Sequence, residues 1–305
     1  MKPRHAKILI NAGAGGQFDE TLRERLSEIF QAANAKADII VATTPAEMAQ
    51  VAQAAAHEDY DMIVAGGGDG TISLVASALI DSGKVLGVLP LGTLNHFAKD
   101  LRIPIDFEEA AQNLVSGSQV EVDVGEVNGR IFLNNSTLGL YPTLVREREK
   151  QQRLGWGKWP AFVWAAISAL RRYPFVSVRV SVDGIPTTVR TPFVFVGNNQ
   201  YVMERLNIGT RERLDAGELS LYMTRGMGRF GLVRLALRAL LGRLRLEKDF
   251  MAMSAREVTI ATKSRRARVA IDGEVDILQA PLECRIRPGG LSVMVPAARE
   301  GQDFP

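Results

Sequence analysis

A run of glycines with one aspartate and one threonine lies between two apolar stretches of the sequence. The stretch over residues 62–79 is MIVAGGGDGTISLVASAL, with glycine at positions 66, 67, 68 and 70. A strand that ends in glycines and restarts as a helix near Thr71 presents free backbone N–H groups, where anions bind. Glycines also let a phosphate group approach the backbone without contacting a Cβ atom. This stretch therefore predicts a phosphate-binding site.

Asp69 is the unusual member of this stretch, because a carboxylate repels phosphate groups. A Mg²⁺ ion between the carboxylate and the phosphates would remove the repulsion, and a proton-accepting role would also explain it. Thr71 either caps the helix or contacts a phosphate. The alternative is a glycine-rich turn in which Asp69 is only a helix cap. The motifs GxxxxGK[ST] and GxGxxG are absent here and after Asn11, so the glycines do not indicate a Walker or Rossmann site.

The elements that position this stretch alternate between strand and helix. Helices are predicted over 18–35, 45–57, 71–82 and 94–101, each following a strand. This alternation predicts a three-layer α/β domain with a parallel sheet, and ligands of such sheets bind beyond the carboxyl ends of the strands. Four strand ends rich in glycine, small hydroxyls and amides should converge on one crevice: residues 11–16, 43–44, 66–71 and 90–95.

The pattern changes from about Val120 onward to short alternating segments. The turn pairs Asn128-Gly129, Asp183-Gly184 and Asp272-Gly273 separate several of these segments and predict hairpins. The second half is therefore predicted to be an antiparallel β-sandwich or barrel, and the fold class is α/β plus β. We expect domains at 1–122 and 123–289, with a tail of about 290–305 that could return to the first domain.

Composition favours a soluble globular protein. The chain has 305 residues, of which 46% are hydrophobic and 23% charged, enough for two domains with their own cores. Its one cysteine, Cys284, excludes an internal disulfide and is predicted to be a buried apolar residue. The N-terminus shows no signal sequence, and the longest apolar run, over 161–170, is too short to span a bilayer. We expect a cytoplasmic protein with peripheral membrane association.

The second half of the chain is basic and suggests an anionic partner. Residues 1–122 carry 9 Lys/Arg and 16 Asp/Glu, a net charge of −7, whereas the remainder carries 28 and 18, a net of +10. Two basic segments, 146–173 with three tryptophans and 226–248 with many leucines, suit a membrane interface. The alternative is a pair of core-packed helices with outward arginines. No nucleic-acid-binding motif is present, so lipid is favoured over nucleic acid.

The glycine stretch and a second motif together resemble a known family. GGGDGT over 66–71 followed by LPLGTLNHFAKDL over 89–101 is similar to the diacylglycerol kinase catalytic-domain family, which includes soluble bacterial lipid kinases and sphingosine kinases. The resemblance continues through residues 122–139, 214–221 and 271–274. GGDGT alone is shared with the more distantly related NAD kinases, so PLGTLNxFA is the motif that favours a lipid kinase.

The resemblance implies an α/β nucleotide domain followed by a β-sandwich lipid domain. It also implies ATP- and Mg²⁺-dependent phosphorylation of a lipid hydroxyl, most simply diacylglycerol to phosphatidate. Catalysis would involve Asp69 through ATP-bound Mg²⁺, Asp123, and Glu274 as the base for the lipid hydroxyl. The ATP site would include Asn11, Thr44, Gly66, Gly67, Gly68, Gly70, Thr71, Thr93 and Asn95.

A second segment of the chain can be compared with the one that contains Glu274. The sequences RVSVDGI over 179–185 and RVAIDGE over 268–274 are nearly the same, but the first ends in Ile185 and the second in Glu274. By pattern alone both are ordinary hairpins. Asp123 is alternatively a polar residue at a strand end between domains.

Two positions depart from the family pattern. His96 and Ala216 stand where the family commonly has aspartates, and the second of these belongs to a structural metal site. We therefore predict no metal in the loop 213–219, with Asp215 as the replacement ligand if one is bound. His96 would be a capping or packing residue. The alternatives to a lipid kinase are an NAD-kinase-like enzyme and a non-catalytic, nucleotide-dependent lipid-binding regulator. A homodimer is a further expectation.

Overall fold

The computed structural model describes residues 5–13, 19–139, 175–204, 207–224 and 251–297. The basic segments 146–173 and 226–248 lie outside these residues. The chain forms two compact units. Unit 1 comprises the chain up to Val124, residues 210–217 and the chain from Arg287 onward, and unit 2 comprises 125–209 and 218–286. Among the described residues, no helix has the length and apolar character needed to cross a bilayer.

Unit 1 is an α/β fold whose sheet has the order β2–β1–β3–β4–β18, with β18 pairing through its C-terminal residues. All of these strands run parallel, which confirms the predicted parallel sheet. The elements are β1 (His5–Asn11), α1 (Glu20–Ala32), β2 (Lys36–Ala42), α2 (Pro45–His57), β3 (Met62–Gly67), α3 (Asp69–Leu79), β4 (Val85–Pro90), α4 (His96–Asp100), α5 (Phe107–Ser116), β5 (Ser118–Val127) and β18 (Leu282–Val295).

The core of unit 1 lies between this sheet and its helices. Strands β3 and β4 are buried along their whole length, as expected for parallel strands covered on both faces. Helices α1 and α5 pack together through an apolar cluster that includes Phe30 and Leu114, while α2 and α3 contact each other. Right-handed crossovers place these two pairs on opposite faces, so the unit has three layers.

Capping residues explain where the helices begin. Thr44 accepts a hydrogen bond from the Glu47 amide, and Pro45 takes the first helical position, so α2 has the predicted bounds 45–57. Helix α3 begins at Asp69 rather than at the predicted Thr71, because Gly68 occupies the N-cap position. Helix α5 was not predicted. It begins after Asp106, whose carboxylate accepts hydrogen bonds from the Glu108 and Glu109 amides.

Unit 2 is an antiparallel β-sandwich, as predicted. One sheet has the order β14–β13–β10–β7–β16–β17, and β8, β9 and β15 pair antiparallel in the facing sheet, where β15 also pairs with the start of β18. The elements are β6 (Arg130–Phe132), β7 (Asn135–Gly139), β8 (Val176–Val182), β9 (Ile185–Thr191), β10 (Phe193–Asn198), β11 (Tyr201–Glu204), β12 (Asn207–Arg211), β13 (Leu219–Met223), β14 (Met251–Ala255), β15 (Glu257–Thr262), β16 (Arg266–Ile271) and β17 (Glu274–Gln279).

The core of unit 2 consists of inward side chains from both sheets. Val180 and Ile260 come from one sheet and Val196, Leu221 and Val269 from the other. Strands β8, β15 and β16 alternate buried and less buried positions over part of their length, which is typical of a sandwich, whereas β13 is buried throughout. Cys284 is also buried in this core, and burial raises the pKa of its thiol to about 12. The prediction of a buried, apolar cysteine is confirmed.

All three predicted hairpin turns are confirmed. Asn128-Gly129 joins β5 to β6, Asp183-Gly184 joins β8 to β9, and Asp272-Gly273 joins β16 to β17. Both residues of each pair have positive φ, between 45° and 90°. This is the geometry of type I′ turns, whose twist matches that of the flanking strands.

A buried ion pair fastens the segment 210–217 within unit 1. The Arg211 Nε and Nη2 atoms lie 2.8 and 2.7 Å from the Asp100 Oδ2 atom, and the Arg211 amide donates to Oδ1 at 3.3 Å. Both side chains are almost fully buried, with 0% and 3% exposed. Burial raises the pKa of Asp100, and the Arg211 guanidinium opposes this shift. The charges are therefore compensated only while both partners are present.

We expect Asp100→Ala to lower the free energy of unfolding by about 3–5 kcal/mol, because Arg211 would remain buried without a counter-charge. Chemical denaturation followed by circular dichroism measures this loss. The matched control is Asp215→Ala, which removes the partner of the exposed Arg213 in the same segment and should leave stability unchanged. Equal effects of the two variants would contradict a structural role for the buried pair.

Candidate active site

Two glycine-containing loops of unit 1 touch through their backbones. One consists of the end of β3 and the residue after it, Gly66–Gly68, and the other follows β4 near Gly92. A Cβ atom on Gly92 would lie 2.4 Å from the Gly68 Cα atom, and one on Gly67 would lie 2.5 Å from the Thr71 hydroxyl oxygen. Side chains larger than hydrogen do not fit at these positions. The structure thus brings together the two motifs that the sequence analysis identified.

Asn95 holds the second loop in its shape. Its Nδ2 atom donates to the carbonyl oxygens of Pro90 and Gly92 at 3.2 and 2.9 Å, and its Oδ1 atom accepts from the Gly92 amide at 3.1 Å. The residue is 2% exposed and has φ of 51°, a left-handed conformation that asparagine tolerates. These contacts assign Asn95 a positioning role. Thr93, in the same loop, is exposed.

Asn11 and Thr71 connect the end of β1 to the first turn of α3. The Asn11 Nδ2 atom donates to the Thr71 Oγ1 atom at 2.9 Å, and Asn11 Oδ1 accepts from the Gly13 amide at 2.9 Å. Thr71 is buried, whereas Thr44 is exposed and its side chain caps α2. Asn11, the glycines and Thr71 therefore lie together at the carboxyl ends of β1 and β3.

Asp69 links the two loops through a hydrogen bond. It lies half-buried in the first turn of α3, and its Oδ1 atom accepts from the Phe97 amide in α4 at 3.2 Å. Its Oδ2 atom has no hydrogen-bond partner among the described residues. The described part of the chain also contains no group of three or more His, Cys, Asp or Glu residues arranged to hold a metal ion. A metal ion here would need oxygen atoms from the ligand as well as from Asp69.

Asp123 fastens two glycine turns within unit 1. Its Oδ2 atom accepts from the Gly217 amide at 2.6 Å and its Oδ1 atom from the Gly289 amide at 2.9 Å, while its own amide donates to the Leu214 carbonyl at 2.7 Å. Both glycines have positive φ, at 70° and 58°. The carboxylate is buried, and these contacts give it a positioning role. A catalytic role for Asp123 stays a prediction.

The two departures from the family pattern lie near these contacts. His96 is the exposed first residue of α4, and Ala216 precedes the glycine that Asp123 binds. Asp215 pairs with Arg213 at 2.9 and 3.2 Å on the surface. The predicted absence of metal in this loop stays a prediction, as does the role of Asp215 as a replacement ligand.

Glu274 belongs to unit 2, where it is exposed as the first residue of β17, opposite Ile271. The turn before it is anchored by Asp272, whose carboxylate accepts from the backbone amides of residues 133, 134 and 135 at 2.8, 2.8 and 3.0 Å. The sequence analysis did not identify this anchor. Asp183 binds two amides at the start of β15 in the same way. An aspartate at this turn position is therefore the sequence signal that could have predicted the anchor.

Comparison with known sequence families gives two matches along the chain. The model described as diacylglycerol kinase catalytic domain matches residues 5–127, and the model described as YegS C-terminal NAD kinase beta sandwich-like domain matches residues 141–295. The chain belongs to the diacylglycerol kinase catalytic-domain family. The first match contains both glycine loops and Asp69, and the second contains Glu274.

Curated relatives of this family match part of their length. The diacylglycerol kinase of Bacillus subtilis (strain 168) is 34% identical over 134 residues, which span 43% of this chain and 44% of that protein. The diacylglycerol kinase of Staphylococcus aureus (strain MRSA252) is 30% identical over 189 residues, spanning 59% of this chain and 58% of that protein. The chain thus matches less than two thirds of these relatives.

Solved structures extend the similarity of fold to nearly the whole chain. A crystal structure of a diacylglycerol kinase from Bacillus anthracis str. Sterne aligns with a TM-score of 0.71 at 20% identity, covering 97% of this chain and 98% of that one. A second structure from the same strain aligns with a TM-score of 0.75 at 23% identity and the same coverage. Nearly the whole chain therefore shares the fold of these structures.

Two substitutions separate the effect on stability of the left-handed conformation of Asn95 from that of its side-chain hydrogen bonds. Asn95→Gly removes the side-chain bonds, and Asn95→Ala additionally forces an alanine into the left-handed conformation. We expect the alanine variant to be less stable than the glycine variant by about 1–2 kcal/mol, and both to be less stable than the native protein. Urea denaturation measures both differences. Equal stability of the two variants would show that the left-handed backbone at Asn95 is not maintained.

Proposed function

We propose that the protein is an ATP- and Mg²⁺-dependent lipid kinase that phosphorylates a lipid hydroxyl, with diacylglycerol as the simplest acceptor and phosphatidate as the product. The observation that carries the proposal is the contact between the glycine loops at Gly68 and Gly92, with Asp69 in the first turn of α3 beside it. Family membership and the names of the curated relatives support the same activity.

Unit 1 supplies the features that a nucleotide phosphate group needs. The first turn of α3 has unpaired backbone N–H groups and the positive end of the helix dipole, and Gly67 and Gly68 leave the approach to them open. When bound, Mg²⁺ would neutralise charge on the phosphates, with Asp69 and phosphate oxygens among its ligands. The Oδ2 atom of Asp69, which has no hydrogen-bond partner among the described residues, fits this role.

Unit 2 supplies the candidate base. In the proposed reaction, a bond forms between the lipid hydroxyl oxygen and the γ-phosphorus atom of ATP, and the bond from that phosphorus to ADP breaks. The Glu274 carboxylate accepts the hydroxyl proton, a step that phosphoryl transfer requires only late. Asp272 holds the turn before Glu274 through three backbone amides, so the carboxylate is presented on a fixed hairpin.

Two alternatives remain to be tested against the lipid kinase. The match of residues 141–295 to an NAD kinase beta sandwich-like domain favours an enzyme that acts on a soluble acceptor. His96 and Ala216 favour a lipid-binding regulator without turnover. A γ-labelled ATP assay against lipid extracts and NAD, with mass spectrometry of the product, separates the three. Label in a lipid supports our proposal, label in NAD supports the first alternative, and no label in either supports the second.

Asp69→Asn and Glu274→Gln should each lower turnover by roughly a hundredfold or more. The amide oxygen of the side chain introduced at position 69 can still accept from the Phe97 amide, so the fold should persist and the loss should be catalytic. Steady-state kinetics and thermal unfolding measure both properties. The control is Asp276→Asn, a carboxylate on the same strand as Glu274 that pairs with Arg130 on the surface. A variant at 69 or 274 with near-native turnover would remove that residue from the mechanism.

We also propose that the basic second half brings the enzyme to anionic membranes. Binding to anionic vesicles should be stronger than to neutral vesicles and should weaken with added salt, because exposed charges are screened over about 8–10 Å near physiological ionic strength. Vesicle flotation at increasing salt measures this dependence. Equal binding to neutral and anionic vesicles would refute the electrostatic contribution.

A further inference from the structure

A cavity of about 580 Å³ opens in unit 2 where β15 is joined to β16. Its walls come from residues 138–139, 175–177, 190, 262–264 and 266–268. Arg266 begins β16 and Ile271 ends it, so at about 3.3 Å per residue the two ends lie roughly 16 Å apart. The cavity is therefore at the opposite end of β16 from the turn that carries Glu274.

Among the residues that the structure describes, four cationic side chains and no Asp or Glu line this cavity: Arg190, Lys263, Arg266 and Arg268. Arg266 and Arg268 lie on the same face of β16, because Ala267 between them is buried. Within the described part of the chain, no carboxylate pairs with Lys263, Arg266 or Arg268. Elsewhere in unit 2, Arg130 and Arg285 each contact a carboxylate at 2.8 Å.

The loop between β15 and β16 is shaped by hydroxyl groups that also line the cavity. The Thr262 hydroxyl donates to the Ser264 carbonyl at 2.7 Å, and the Arg266 amide donates to the Ser264 Oγ atom at 3.2 Å. Ser264 Oγ is an acceptor in that bond, so its hydroxyl hydrogen can be donated to a ligand. The Arg190 guanidinium lies 5.7 Å from the centre of the Phe175 ring, in the range of a cation–π contact.

We infer that this cavity binds a phosphate group, as a monoester or diester anion. Cations of like charge around one cavity repel each other, and a bound anion offsets that repulsion. Guanidinium groups match the geometry of phosphate oxygens through paired N–H donors, and the Ser264 hydroxyl adds a further donor. The cavity volume lies within the range of small-ligand sites. The site lies away from Glu274 and is independent of the proposed phosphoryl transfer.

Two sources could provide this phosphate group. The apolar residues Leu138, Phe175 and Val176 lie beside the cations, which suits the headgroup and first acyl carbons of a phospholipid. Free phosphate satisfies the same charges without using the apolar wall. The two sources share one set of cationic contacts, so one set of variants tests both.

The test compares Arg266→Gln/Arg268→Gln with the control Arg256→Gln. Arg256 is an exposed arginine next to the other end of β15, so the control removes a charge from unit 2 and leaves the cavity intact. One arm measures the melting temperature against inorganic phosphate at constant ionic strength. The other measures flotation with phosphatidylglycerol and phosphatidylcholine vesicles. Lys263→Gln, in the exposed turn, replaces the double variant if that variant does not fold.

We expect the cavity variant to lose at least tenfold in affinity for the anion, and the control to bind like the native protein. A shift in melting temperature with inorganic phosphate identifies free phosphate as sufficient, and a loss seen only with phosphatidylglycerol vesicles identifies a membrane headgroup. The inference is overturned if the cavity variant and the control behave alike in both arms. These are binding measurements, so they stand whether or not the protein has kinase activity.

Discussion

The backbone contact between Gly68 and Gly92 is the constraint on which the candidate active site depends. A single Cβ atom at Gly92 would lie 2.4 Å from the Gly68 Cα atom, so the loops after β3 and β4 can approach this closely only with glycine at position 92. The same approach places Asp69 next to the Phe97 amide of α4. Helix α3 begins at Asp69, directly after Gly68. The backbone N–H groups of its first turn, the glycine backbone and the Asp69 carboxylate therefore lie together at the carboxyl end of β3.

Carboxylates that bind backbone amides fix the loops around this edge and around the Glu274 turn. Asp123 binds the amides of Gly217 and Gly289, and Asp272 binds three consecutive amides after Phe132. Hydrogen bonds to charged acceptors are stronger than those between neutral groups, and they fix both the orientation and the distance of the amide relative to the carboxylate. Asp100 does the same for the Arg211 amide and adds a buried ion pair. In both units, charged side chains that are distant in the sequence therefore hold several of the loops in place.

Local signals in the sequence were sufficient to predict much of the fold. Pro45 after a threonine cap defines the start of α2, and the three Asn-Gly or Asp-Gly pairs define type I′ hairpins, because both features act within a few residues. The contacts of Asp123 were beyond prediction, since its partners are 94 and 166 residues away in the chain. The pairing of Asp100 with Arg211 spans 111 residues and has no local pattern. Helix α5 was not predicted, although its Asp106 cap is a local signal for a helix start.

The two hairpins with nearly identical sequences, at residues 179–185 and 268–274, separate features that build the fold from a side chain that could act in catalysis. Both have a type I′ turn, and in both the aspartate of the turn binds backbone amides at the start of a neighbouring strand. Ile185 is 73% exposed after one turn, and Glu274 is exposed after the other. The turn and its anchor are thus general devices for building a sandwich, and they recur without any functional requirement. What distinguishes the second hairpin is that its exposed position carries a group able to accept a proton. A structural signal for the hairpin is therefore no argument for catalysis, and the proposed catalytic role of Glu274 rests on its side chain and on the resemblance of residues 271–274 to the family.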